Sequence, residues 1–243
     1  LRLGGLLLSL SDKKRKFQGV RMKTWLFLAI LFSSQVFADP RVSELKSEIM
    51  TLARSSEGKT DLDGKLQAAL EEKVQDLEKI IPYETTSERA NKILGPWRQV
   101  FGPYSATGDG TIPFGSRTDK IYQIIYPQGI FYNVALFEKA RVKLVFLLKG
   151  EYKITDEAIE GIFVRNSIIA KNVTEDGLFN LPAKVEDGSL SATHLPRQLP
   201  PVGQGGKLFE VYADKDIRIL RGQTPQFKRP ALYIMERSGD KNL

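Results

Sequence analysis

Residues 121–137 read Ile121-Tyr-Gln-Ile-Ile-Tyr126-Pro-Gln-Gly129-Ile130-Phe-Tyr-Asn-Val-Ala-Leu-Phe137. Two runs of β-branched and aromatic residues flank a Pro-Gln-Gly turn, the pattern of an antiparallel hairpin. Similar runs recur on both sides, separated by Gly, Pro and Asp: 97–101 before the hairpin, then 142–153, 161–169, 208–212, 216–221 and 231–237 after it. With 121–126 and 130–137 they make eight strands. Short connections such as Ala213-Asp-Lys-Asp216 favour antiparallel pairing. Eight such strands can close into an up-and-down barrel, a size whose interior is just wide enough for one small ligand. Residues 172–204, with Pro182, Pro196, Pro200 and Pro201, read as one long irregular insertion.

Upstream of Trp97 the apolar period changes. Asp39-Pro40 offers an N-cap and a first helical residue, and Val42, Leu45, Ile49, Leu52 and Ala53 then recur at helical spacing. A second stripe of Leu66, Leu70, Val74, Leu77 and Ile81 ends at Pro82, and a short third helix is expected over 87–94, closed by Gly95. Amphipathic stripes of this kind face a core. The chain therefore divides into a leader (1–38), a helical segment (39–95) and a mainly β domain (96–243).

The 243 residues carry 36 Lys or Arg against 29 Asp or Glu, a net charge of +7. Seven of the basic residues and one acid lie in 1–38; beyond them 29 basic residues face 28 acidic ones. That near-neutral remainder has no chain-wide footprint for nucleic acid, so none is expected as a partner. Met22-Lys23, the apolar run from Trp25 to Phe32, and small residues Val36 and Ala38 at the −3 and −1 positions read as a signal peptide, with cleavage expected after Ala38. Eight apolar residues fall far short of the roughly 20 that span a bilayer. Residues 1–21 read as an over-extended gene start, with Met22 the true one. Export to a bacterial periplasm or beyond is the expectation, and an algal plastid reached through a secretory-type leader is the alternative.

Zero Cys and one His, His194, exclude disulfides, thiolate metal sites and a Cys nucleophile, and no metal or cofactor is expected. No Gly-x-Ser-x-Gly elbow, Walker loop, Gly-x-Gly-x-x-Gly or His-Glu-x-x-His occurs. His194 reads as a surface imidazole with no Ser partner evident in sequence. Carboxylate pairs such as Asp214 with Asp216, or Glu210 with Glu236, are the remaining route to acid–base chemistry.

Two constellations carry more. Gly95-Pro96-Trp97 opens the first strand, and Arg218, Arg221 and Arg237 lie on the last two. The second is Tyr212-Ala-Asp-Lys-Asp-Ile-Arg-Ile-Leu-Arg-Gly222. It resembles the closing signature of the plastid lipid-associated protein family, also called plant fibrillins, in which Tyr-Leu-Asp-x-Asp-Leu-Arg-Ile-x-Arg-Gly precedes a final strand like 231–237. The paired N-terminal helices, Gly95-Pro-Trp97, Gln123 and Asn133 extend the resemblance over most of the chain beyond the leader. Ala213 departs from the larger apolar residue of that pattern, and an export signal stands where plants carry a transit peptide.

The resemblance implies a lipocalin-like, eight-stranded antiparallel barrel behind an N-terminal α-helical segment, with Trp97 across its closed end and an Arg on the indole face. It also implies contact with lipid, as a bound molecule or at a membrane or lipid-body surface. The expected function is non-catalytic binding of an apolar small molecule such as a fatty acid or isoprenoid. A scaffolding barrel filled by side chains and a carboxylate-based hydrolase are the alternatives. Alternation along the strands nominates Tyr122, Ile124, Tyr126, Phe131, Asn133, Phe163 and Tyr233 as ligand-lining, with Gln123, Arg218 and Arg221 to orient a polar group. Gln123 and Asn133 equally suit a hydrogen bond to one another, and Arg218 and Arg221 a solvated hairpin with Asp214 and Asp216.

Overall fold

The computed structural model describes residues 39–56, 64–103, 118, 120–139, 141–170, 173, 175–196, 202–225 and 229–239. The leader expected over 1–38 lies outside them. Helix α1 (Pro40–Arg54) starts as its sequence dictates: the Asp39 carboxylate caps it by accepting from the Arg41 N–H at 2.9 Å, and Pro40 needs no partner in the first turn. Helix α2 (Gly64–Ile80) follows, and the short α3 (Thr86–Arg89) is held by a capping box between Thr85 and Glu88. The third helix was expected to reach residue 94. It stops at Arg89 because Ile93 must turn inward, where it is wholly buried against Trp97.

All eight expected strands form. They are β1 (Gly95–Phe101), β2 (Ile121–Tyr126), β3 (Ile130–Lys139), β4 (Val142–Ile154), β5 (Ile159–Ala170), β7 (Gly205–Ala213), β8 (Ile217–Gln223) and β9 (Ala231–Arg237). A two-residue strand, β6 (Thr193–His194), is added from within the insertion and pairs only with β5. Every pairing is antiparallel, and the order β1-β2-β3-β4-β5-β7-β8-β9 closes when β9 pairs with β1. Strand β7 begins three residues earlier than expected. Gly205 and Gly206 are strand residues there because the backbones of β5 and β8 pass so close that a Cβ on either would lie 3.0 Å from the Gly161 carbonyl oxygen or 2.8 Å from that of Gln223.

Both faces of the wall are apolar because both are covered. Leu45, Ile49 and Ala53 of α1 and Leu70, Val74 and Leu77 of α2 pack on the outward residues of β1, β8 and β9. Residues 172–204 are expected from sequence to be one irregular insertion. Instead, 173–192 includes α4 (Glu175–Leu178) and α5 (Leu181–Glu186), whose Leu178, Leu181 and Val185 cover the outer faces of β2 to β5. Glu186 fastens that cover, accepting from the Tyr132 hydroxyl at 2.7 Å and pairing with Arg165 and Lys149. Among the described residues no helix is long and apolar enough to cross a membrane.

Antiparallel order sorts the connections into two ends. The turns β2–β3, β4–β5 and β7–β8 lie at the Trp97 end. Strands β1, β3, β5 and β8 end at the far end.

Candidate functional site

Trp97 is wholly buried at the near end, and its indole N–H donates to the Ile93 carbonyl at 2.7 Å. The Arg237 guanidinium carbon lies 3.8 Å from the indole ring centre. Arg237 also donates to the carbonyls of Lys92, at 3.0 Å, and Leu94. One side chain thus covers the indole and ties down the segment crossing the barrel end. Of the three arginines expected as candidates for this contact, the structure selects Arg237.

Above that plug the barrel encloses a cavity of about 160 Å³. Its walls are mostly apolar: Ile125, Phe131, Phe163, Leu208 and Leu220 contribute, and at the far end Pro103, Ile121, Gln223 and Thr224 line it. The Phe131 and Phe163 rings lie 5.5 Å apart.

One polar chain crosses this interior. Arg218, with no exposed surface, donates from Nε to the Glu210 carboxylate at 3.0 and 3.2 Å, and its Nη2 pairs with the same carboxylate. Glu210 has a fully buried side chain as well. Nη1 of Arg218 donates to Gln123 Oε1 at 2.6 Å, and Gln123 Nε2 donates to Asn133 Oδ1 at 3.0 Å. A buried ion pair survives when each charge is matched, which this fork does for the guanidinium. Tyr233 stands apart, its ring held between Gly102 and Gly222, where a Cβ would lie 2.7 Å from ring carbons. Burial pushes its phenol up to about 12, so the hydroxyl is protonated at neutral pH.

Phe131, Asn133, Phe163, Tyr233, Gln123 and Arg218 all line the cavity. Tyr122, Ile124 and Tyr126 do not: they face outward into the cluster covered by α4 and α5. The inward phase of β2 is one residue off the expected one. The inward set on β2 is Ile121, Gln123 and Ile125. The register Tyr126↔Ile130 fixed by the turn makes Gln123 face Asn133 directly, so the two must share a side. Arg221 also lies outside, clamped at 2.8 and 3.0 Å by Glu78 and Glu71 of α2.

Neither carboxylate pair lines the cavity. Glu210 is bound to Arg218 inside the wall, whereas Glu236 sits outside between Arg54 and Arg98. Asp214 shapes the β7–β8 turn by accepting from the backbone N–H groups of Asp216 and Ile217, both at 2.8 Å. No Asp or Glu is among the described residues lining the cavity. Nor do the described residues contain a group of three His, Asp or Glu able to hold a metal. The structure does supply a serine that the sequence did not reveal: Ser167 Oγ lies 2.7 Å from His194 Nδ1. These two are Cα partners of β5 and β6, and Ser167 is 1% exposed. A buried hydroxyl on a cross-strand pair pins β6 to the barrel.

A closed barrel of eight antiparallel strands, plugged at one end and hollow within, is a lipocalin-like barrel. The chain belongs to the PAP_fibrillin family of lipid-associated proteins, whose profile matches residues 43–227, from the first helix to the β8–β9 connection. Comparison with curated proteins and with solved structures gives no match.

Proposed function

We propose that the protein binds an apolar small molecule in its barrel and leaves it chemically unchanged. The internal cavity with its aromatic and aliphatic walls carries this reading, and membership of a lipid-associated family supports it. A space of about 160 Å³ matches the cavities that take one benzene-sized molecule. It therefore accepts a ring or the end of a longer chain. Burying about 150 Å² of hydrocarbon contributes roughly 4 kcal/mol, the equivalent of millimolar affinity. Tighter binding comes from what the remainder of the ligand touches.

Titration of the protein with a neutral, polarity-sensitive fluorescent probe tests the reading. Saturable emission that alkanes or lipids displace is expected. No saturable signal at micromolar protein would favour a scaffolding barrel instead. The proposal extends to an exported protein, on the strength of the signal-peptide pattern in 22–38. A mature product starting at Asp39 by N-terminal sequencing is the expected result, and an N-terminus upstream of Trp25 would overturn it.

A further inference from the structure

We propose that the cavity selects an uncharged ligand bearing a hydrogen-bond-accepting oxygen, a ketone or ester carbonyl, over a carboxylate or other anion. This rests on the binding function proposed above.

Arg218 is the one cation among the described residues lining the cavity, and it is the obvious receptor for an acid. Its charge is already spent, however. Nε and Nη2 are held by Glu210, Nη1 by Gln123, and the side chain has no exposed surface. An anion entering the barrel would shed its hydration and meet a wall of zero net charge, an arrangement that opposes burial of an unpaired charge.

The same pair dictates what the wall offers instead. A guanidinium can only donate, so the atom of Gln123 that faces it must be the carbonyl oxygen. The Gln123 amide nitrogen then points the other way and donates to Asn133, whose own oxygen is thereby used. The relay leaves the Asn133 NH₂ at its end with no further partner among the described residues, on the cavity lining. Charge at one end thus fixes the direction of every amide and presents hydrogen-bond donors at the other. The Tyr233 hydroxyl, protonated and likewise without a partner among the described residues, adds a second donor to the lining. A carbonyl oxygen has two lone pairs and no charge. A ligand lacking such an oxygen would leave buried donors unmade, which is how a polar site rejects its apolar analogue.

The test is displacement of a neutral polarity-sensitive probe from the full chain by methyl octanoate, octanoate and octane. At pH 7.5 the ester is expected to bind at least tenfold tighter than octanoate, and octanoate to gain as the pH falls through its own carboxyl range near 5. Tyr233→Phe, which keeps the ring, and Asn133→Leu should each weaken the ester several-fold and leave octane unchanged or improved. Octanoate binding as tightly as the ester would overturn the inference while leaving the binding function intact. An ester preference that survives both substitutions would overturn the assigned donors. Failure of the probe and all three ligands to bind would instead remove the binding function itself.

Discussion

The ring of Phe131 occupies the space that a side chain at residue 150 would need: a Cβ on Gly150 would lie 2.1 Å from its Cζ. The two residues are Cα partners on β3 and β4, and the ring reaches across to Gly161 on β5. Gly150→Ala is therefore expected to drive the ring into the cavity. Overpacking of this kind costs about 1–3 kcal/mol, and probe binding should weaken with it. Denaturant unfolding and probe titration on the same variant check both effects, and a variant unchanged in both would show that the ring has other room.

Trp97→Ala should cost about 3–5 kcal/mol, because it empties a fully enclosed site and releases Arg237 from the indole face. A fall in melting temperature of roughly 10 °C is the corresponding expectation. Trp25 and Trp97 are the two tryptophans, so in a Trp25→Phe background the emission reports Trp97 alone. It should be blue-shifted relative to the unfolded chain, and emission like that of exposed indole would contradict the plug.

Arg218 and Arg221 lie three residues apart on β8 and predict losses of very different size. Arg218→Met leaves the Glu210 carboxylate buried without its partner, a loss of about 3–5 kcal/mol. The double variant Arg218→Met with Glu210→Leu should recover much of it. Arg221→Ala removes partly exposed pairs with Glu71 and Glu78 and should cost about 1 kcal/mol or less. Equal costs for the two single variants, measured by chemical denaturation, would contradict this placement.

Acid should loosen α5 before the barrel. Burial works to raise the Glu186 carboxyl, but the Tyr132 hydroxyl, Arg165 and Lys149 outweigh it and hold it below its usual 4.5. A depressed carboxyl contributes its stability above the unfolded value and loses it as the pH falls through the folded one. Hydrogen exchange of 181–187 should therefore accelerate, relative to the β-strands, below about pH 4.5. In Glu186→Gln that extra acceleration should vanish; persistence would assign the effect to other groups.

Strands and paired helices were legible because their apolar residues repeat with periods near 2 and 3.6. The face of β2 was not, since Tyr122 and Ile124 are as apolar as Ile121 and Ile125, each side having its own cover. That cover was itself hidden: α4 and α5 are four and six residues long, too short to display a period, and stand among prolines and glycines that read as loop. Gln123 and Asn133 were visible as amides out of place in apolar strands. The role of Glu210 was not visible, because a glutamate on a strand looks the same whether it meets water or a guanidinium. Ser167 and His194 meet only because the insertion doubles back along β5, a path that no local pattern encodes.

The pairing of β9 with β1 also sets a timetable for synthesis. Phe101 ends the first strand roughly 130 residues before its neighbour begins at Ala231. At ordinary elongation rates that interval lasts on the order of ten seconds. Throughout it β1 offers one unpaired edge, the kind that templates association between chains. Closure between such distant segments also raises contact order, which slows folding. A chain stalled or cut before Ala231 would keep both β1 and β8 open. The nascent protein is thus more exposed to misassembly than the finished one, and a chaperone that shields strand edges would matter most in the last moments of translation.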